Sequence, residues 1–238
     1  MRVAIVSDIH GNLTALDAVI RDLGATAPDL ILHGGDLADG GSSPAEIVDR
    51  IRDLGWPGIA GNTDEMLFAP AAFDAFTAHA PQLEALWAVI REMAAATRQA
   101  LGETPLAWLR GLPRRYDGDS FTLVHATSES LWRAPAHNAP DEEFGVYRIF
   151  GKPLAIYAHI HRPFIRTFSG LTVANTGSVG LPYDGDTRAS YLLVNDGEPL
   201  IRRVEYDIDA EIEALNAGPI PHAAWVANQL RTAAFQMP

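Results

Sequence analysis

The sequence predicts an α/β fold with a sheet covered on both faces by helices. Two observations carry this. Short apolar, β-branched runs alternate with segments of helical periodicity across residues 2–60. Each of those runs also stops abruptly in a polar or glycine-rich turn. Residues 2–7 (RVAIVS) form the first such run, a buried strand. Residues 12–24 follow, with Leu13, Leu16, Val19, Ile20 and Leu23 at helical spacing and Gly24 as a stop. Residues 29–33 (DLILH) make a second strand, closed by Gly34-Gly35-Asp36. Ser43, Pro44 and Glu46 open a helix running to about Leu54, and Trp56 to Ala60 read as a short third strand.

From Glu65 to Leu112 the chain is rich in Ala and Leu and shows no strand-like alternation. This stretch is expected to be a helical insertion (cap) within a single domain spanning residues 1–238, with Trp87 and Trp108 in its core. Strand-rich sequence resumes at residues 115–116, 121–125, 155–158, 164–168, 171–175, 191–195 and 200–206. Asp117-Gly118-Asp119 and Asp196-Gly197 suit hairpin turns. Residues 207–233 read as helix broken at Gly218-Pro219.

Composition bounds the function. The chain has 238 residues, no cysteine and a formal net charge of −12, so thiolate chemistry and disulfides are excluded. No apolar run is long enough to span a bilayer. The N-terminal run is too short for the core of a signal peptide, so a cytoplasmic protein with no membrane partner is expected. Acidity, and the lack of a Lys/Arg cluster, argue against duplex nucleic acid as a partner. A bound metal would reverse the sign locally, which keeps small anionic substrates open.

The chemistry sits where strands stop. The first three runs end in Asp8-Ile9-His10, Gly35-Asp36 and Gly61-Asn62-Thr63-Asp64. In open α/β sheets the ligand crevice lies beyond the carboxyl ends of the strands, so these loops should converge. The later half adds His125 and the pair His159-Ile160-His161 at two further strand ends. Two aspartates, an asparagine and four histidines make a nitrogen- and oxygen-rich set suited to Mn, Fe, Zn, Ni or Co. Any one of these residues alone would be an ordinary polar loop residue or helix cap.

Asp8-x-His10, Gly35-Asp36, Gly61-Asn62-x-Asp64, His125 and His159-x-His161 together resemble the ordered motifs of the calcineurin-like metallophosphoesterases. Residues 7–12 (SDIHGN) and 175–180 (NTGSVG) look like the small bacterial and archaeal phosphodiesterase branch. The resemblance covers roughly residues 1–64 and 114–207. It implies a four-layer α/β/β/α sandwich with the helical insertion beside the site. It also implies two divalent metal ions: Asp8, His10 and His161 holding one, Asn62, His125 and His159 the other, and Asp36 bridging both. A hydroxide held between the ions would attack phosphorus, giving hydrolysis of a small phosphorylated substrate with no protein nucleophile. Asp8, His10, Asp36, Asn62 and Asp64 are the implied catalytic residues, with Asp64 orienting its neighbours rather than binding metal. Asn62, Asn12 and Arg162 are candidates for substrate binding, although Asn12 reads more readily as a helix cap; Arg148 and Arg166 could also touch a phosphate. His33 is expected to be structural, and His79, His137 and His222 to lie on the surface.

Thr63 stands where many relatives carry His, a donor to the leaving group. Threonine cannot protonate a leaving group near neutral pH, which favours substrates with good leaving groups. Ala126 and Ala158 replace glycines common in the family. A phosphodiesterase is the expected activity. A phosphomonoesterase, a protein phosphatase or a dinucleoside polyphosphate hydrolase would use the same centre, and a catalytically weak scaffold is the rival from another class. Retention of all seven ligand positions favours the enzyme.

Overall fold

A computed structural model describes residues 1–238. The chain runs β1 (Arg2–Val6), α1 (Leu13–Thr26), β2 (Leu30–His33), α2 (Pro44–Asp53), α3 (Asn62–Phe68), α4 (Pro70–Thr77), α5 (Glu84–Leu101) and α6 (Glu103–Arg110). It continues through β3 (Arg115–Asp117), β4 (Phe121–Val124), α7 (Asp141–Phe144), β5 (Leu154–Tyr157), β6 (Phe164–Phe168) and β7 (Leu171–Asn175). It ends with β8 (Ala189–Asn195), β9 (Glu198–Val204), α8 (Ile208–Ala217) and α9 (Ala223–Thr232). Two sheets form, in the orders β2-β1-β8-β9 and β3-β4-β5-β7-β6. β1 and β2 are parallel, as are β4, β5 and β7; β3, β6, β8 and β9 run antiparallel to their neighbours.

Side-chain alternation shows how the layers stack, because successive residues of a strand face opposite ways. Ala4 and Val6 of β1, with Tyr191 and Leu193 of β8, pack against Leu16 and Val19 of α1, Ile47 and Ile51 of α2, and Trp87 of α5. Val3, Ile5, Leu192 and Val194 face the other way and meet Phe121, Leu123, Leu154 and Ile156 of the second sheet. Val124, Ala155, Tyr157 and Val173 then face outward onto Phe144 and Tyr147. The result is the four-layer α/β/β/α sandwich. Its outermost layer is slight: α7 and the 3-10 turn Gly145–Phe150. Nothing in the periodicity of residues 141–150 marks that element, since two buried aromatics suffice to cover the small sheet face.

One predicted strand is not built as such. Trp56 to Ala60 contributes only an isolated parallel bridge between Gly58 and His33. Pro57 has no N–H to give, and the Ala60 N–H turns away to the carbonyl of Pro113. The segment still delivers Gly61 and Asn62 to the end of β2. Ser43 makes no side-chain cap bond to α2, and its hydroxyl pairs with that of Ser42. Residues 62–110 are helical apart from short connections, and Met66, Phe73, Leu86, Leu101 and Leu109 share the core of β1 and β8. The Asp196-Gly197 turn has positive φ at both residues (47° and 91°), the backbone a two-residue hairpin requires, and it joins β8 to β9 in register. No helix is long and apolar enough to cross a membrane.

Candidate metal centre

Six loops bring the predicted ligands together. β1 ends at Val6, and the chain turns so that the N–H groups of Asp8, Ile9 and His10 are held by carbonyls of Gly35 and Asp36. The loop after β2 is thereby stitched to the loop after β1. The 175–180 loop is fastened to the same place: Ser178 Oγ donates to Asp8 O at 2.6 Å, and Gly180 N donates to Asp8 O at 3.0 Å. A Cβ on Gly180 would fall 1.8 Å from the carbonyl oxygen of Ile9, so only glycine permits this approach. Asp8, His10, Asp36, His159 and His161 all have positive φ, between 49° and 70°. L-residues rarely adopt this conformation, and it persists where the surroundings over-determine it. Half of the ten non-glycine residues with positive φ are therefore predicted ligands.

The candidate ligand atoms fall into two adjoining groups. In the first, ligand atoms of Asp8, His10, Asp36 and His161 lie within 4.8 Å of one another, and all four residues are buried. His10 Nε2 stands 3.2 Å from His161 Nε2 and 3.7 Å from Asp36 Oδ2, and His161 Nε2 stands 3.5 Å from Asp8 Oδ1. In the second, the Asn62 amide oxygen is 2.8 Å from His125 Nε2 and 2.7 Å from His159 Nδ1. His125 Nε2 is also 3.4 Å from Asp36 Oδ2, so one aspartate reaches both groups.

Backbone carbonyls orient the rings. His10 Nδ1 meets Asp39 O at 2.7 Å, His161 Nδ1 meets Leu181 O at 2.6 Å, and His125 Nδ1 meets Gly34 O at 2.8 Å. Each carbonyl needs a proton from the ring, which leaves the Nε2 lone pair pointing inward in the neutral form. His159 presents Nδ1 instead. Asp64 binds by acceptance alone: its carboxylate takes N–H bonds from Asp36 (2.8 Å), Leu37 (3.0 Å) and Gly61 (2.9 Å), tying the second loop to the start of α3. Ser7 Oγ donates to Asp8 Oδ2 at 2.6 Å, and Thr63 N donates to Asp36 Oδ1 at 2.9 Å.

The electrostatics call for a cation. Asp8, Asp36, Asp39 and Asp64 are all buried, and no Lys or Arg pairs with any of them. Burial, reinforced by Asp36, pushes the Asp8 carboxyl up to about 8. Burial pushes Asp39 up to about 7 and Asp64 to about 6, although three N–H donors pull Asp64 back. Burial would lower His125, but Asp36 beside it raises its pKa to about 9. His159 is lowered to about 4 by burial, and His161 falls well below its usual value for the same reason. The lone pairs of Asn62, His125, His159 and Asp36 meet at one point. The Asn62 amide turned by 180° would offer its NH2 to the same three partners. A positive centre, proton or metal, fits that point, and the donor set of carboxylates, amide oxygen and neutral imidazoles fits a borderline divalent ion.

The other candidates fall elsewhere. Asn12 is the cap of α1: its Oδ1 accepts from Ala15 N (2.9 Å) and its Nδ2 donates to Gly180 O (3.0 Å). Its second amide N–H points to Tyr206 Oη at 3.4 Å, so the side chain is engaged within the fold, as the cap reading expects. Arg162 is partly exposed beside His161 and does not line the cavity above the site. Arg148 donates to Ser169 O and Arg166 to Ala139 O, so both act as staples. His33 is fully buried against Trp108, with neither ring nitrogen bonded. Trp87 packs edge-on to Phe73 and Phe76. His79 and His137 are exposed, and His222 pairs with Glu92.

Sequence reasoning missed Asp39. Its carbonyl orients His10, and its carboxylate accepts from Thr97 of α5 at 2.9 Å. The spacing Asp36-Leu37-Ala38-Asp39 was a signal available in the sequence. It also missed the residues of α9 and the C-terminal segment that line the cavity, for which no local signal exists.

The comparisons with known proteins agree with this geometry. The family model described as the calcineurin-like phosphoesterase superfamily domain matches residues 1–197. An uncharacterised protein of Methanocaldococcus jannaschii is 28% identical over 251 residues, covering 96% of each chain. The crystal structure of a metallophosphoesterase from Sphaerobacter thermophilus is 26% identical, with a TM-score of 0.80, and covers 98% of this chain and 100% of that one. A hypothetical protein of Pyrococcus horikoshii shares the fold at a TM-score of 0.83 and 19% identity, over 99% of both chains. On the family match, and with a buried Asp/His cluster able to hold metal, this chain belongs to the calcineurin-like phosphoesterase superfamily, a family of metal-dependent hydrolases.

Proposed function

We propose that the protein hydrolyses phosphoric esters of small molecules, diesters in preference to monoesters, with two divalent ions bound. Asp8, His10 and His161 would hold one ion, Asn62, His125 and His159 the other, and Asp36 both. The observation that carries this reading is the convergence of buried carboxylates and imidazole nitrogens on a place that no Lys or Arg side chain reaches. Buried charge of one sign is not tolerated without a partner. When bound, the ions would supply Lewis acidity, an acidified water and charge neutralisation at phosphorus.

The protein's own part is positioning. Backbone carbonyls set the ring orientations, Asp64 holds the Asp36 loop, and Ser7 holds Asp8. The cavity above the centre has a volume of about 260 Å³, which suits a small substrate. The diester preference rests on the resemblance at residues 7–12 and 175–180. Thr63 lines the cavity but offers no acidic proton, so the leaving group must depart without help from that position.

The test is hydrolysis of bis-p-nitrophenyl phosphate and p-nitrophenyl phosphate by protein loaded with Mn²⁺ or Ni²⁺, with metal content measured in parallel. Turnover of the diester, abolished together with metal loading by Asp36→Asn, is the expected result. Activity confined to the monoester overturns the diester preference, and hydrolysis that survives Asp36→Asn puts the site elsewhere.

A further inference from the structure

The cavity floor is the metal centre; its walls come from parts of the chain far from any metal ligand. Ile90 and Met93 of α5 form one wall, and Trp225 and Gln229 of α9 form another. Tyr183 lies flat on His161, at 4.5 Å between ring centroids and 13° between planes, and Phe235 meets Tyr183 edge-on at 5.8 Å. The Trp225 indole N–H is already donated to Gln236 O at 2.9 Å, so only the apolar ring is offered to the cavity. Three aromatic rings and four further apolar side chains, Leu181 and Val226 with Ile90 and Met93, therefore surround a space whose floor is polar.

Gln229 breaks that apolar pattern. It is 1% exposed, and its side-chain carbonyl oxygen has no hydrogen-bond partner. A buried amide oxygen without a partner is destabilising, and folded proteins keep such groups rarely and for a reason. Trp225 and Gln229 are four residues apart on one helix, so they present to the same side. Rotation of the amide exchanges its oxygen for its NH2, so the group can accept and donate along one edge.

We propose that Gln229 is a specificity-determining residue, and that this pocket takes the esterified group of the substrate: a flat ring carrying an amide-type donor–acceptor edge. The phosphate rests on the floor, the ring lies between Trp225, Tyr183 and Phe235, and the ring's amide edge pairs with the Gln229 amide. Flat rings match aromatic walls, and a buried amide discriminates against partners that cannot return its hydrogen bonds. An aromatic amide and a nucleobase share this chemistry. This inference rests on the phosphoester hydrolase reading.

The test uses two esters whose phenols have similar acidity, 4-carbamoylphenyl and 4-(methoxycarbonyl)phenyl methyl phosphate, with the metal-loaded full chain. The expected result is about a tenfold preference in kcat/KM for the carbamoyl ester, expressed in KM. Gln229→Leu should erase the preference while metal content stays the same, with Gln229→Met as a second variant should the first not fold. In parallel, calorimetry with the benzylphosphonates bearing the same two substituents reads binding without turnover. Equal affinity for the two phosphonates in the wild type, or a preference that survives in the variant, overturns the proposal. Absence of hydrolysis with the phosphonate preference intact would instead fail the hydrolase reading and leave the pocket assignment standing. Competition by uridine 5′-phosphate, if present, assigns the ring to a nucleobase; without it, to a simple aromatic amide.

Discussion

At the scale of single residues, each side chain near the centre carries either a lone pair or an anchor for one. Asp64 is the clearest anchor, since its carboxylate gathers three N–H groups from two loops. Asp64→Ala should cost about 1–3 kcal/mol in denaturant unfolding and weaken metal affinity by roughly 10–100-fold, as loss of a ligand's hydrogen-bond partner does. Thr63 fills a cavity-lining position with a hydroxyl that bonds to nothing. Thr63→His should raise kcat/KM for esters with poor leaving groups by about tenfold or more and change good leaving groups little, measured across a series of substituted phenyl esters. His33 is held neutral, its pKa lowered by burial to about 3. Its unfolded value is near 6.5, so the stability it confers is complete above pH 6.5 and is lost as pH falls toward 3. His33→Phe should therefore flatten the acid limb of the stability curve by up to about 1.4 kcal/mol per pH unit between pH 6.5 and 4, read by urea unfolding at each pH.

At the scale of elements, the centre is made by loops that have been fastened to one another. The turn after β2 approaches the start of α3 so closely that a Cβ on Gly61 would fall 2.0 Å from Asp36 Oδ1. Gly61→Ala must displace the very carboxylate that reaches both ligand groups. The expected outcome is a loss of about 1–3 kcal/mol in stability together with loss of bound metal, followed by denaturation and elemental analysis. The predicted third strand shows why such a segment need not be a strand to do its work. Two hydrogen bonds with His33 and one to Pro113 are enough to carry Asn62 into place. Helix α5 serves three times, burying Trp87 in the main core, lending Ile90 and Met93 to the cavity wall and sending Thr97 to Asp39 at the cavity's edge.

At the scale of the whole molecule, three apolar seams hold four layers in register, and the site opens where the loops of both sheets meet. The thin outer layer is a testable part of this architecture. Phe144→Ala should cost about 3–5 kcal/mol by removing a fully buried ring from the second sheet's outer face. It should also weaken metal binding, as followed by elemental analysis, because Ile160, between His159 and His161, packs against that seam and Tyr147 Oη donates to Ala126 O beside His125. Metal binding should in turn stabilise the whole fold. Neutral imidazoles and ionised carboxylates are the binding forms, so the rise in melting temperature on adding Mn²⁺ should be larger at pH 8 than at pH 6, as read by calorimetry.

The clustering of the candidate ligand residues was legible because each is local: a buried strand that runs out into Asp, His or Asn writes its chemistry next to its own periodicity. Asp8, Asp36, His125 and the His159/His161 pair are all marked in that way, and so are the hairpin at Asp196-Gly197 and the break at Gly218-Pro219. Tertiary structure alone decided what lies across space. It tied the capping residue Asn12 to Gly180, turned carbonyls of Gly34, Asp39 and Leu181 into the supports of three imidazoles, and brought Gln229 and Phe235 over a centre built more than sixty residues earlier in the chain. A backbone carbonyl has no residue type to read, and a pocket wall is chosen by packing between distant elements, which leaves no period in either of them.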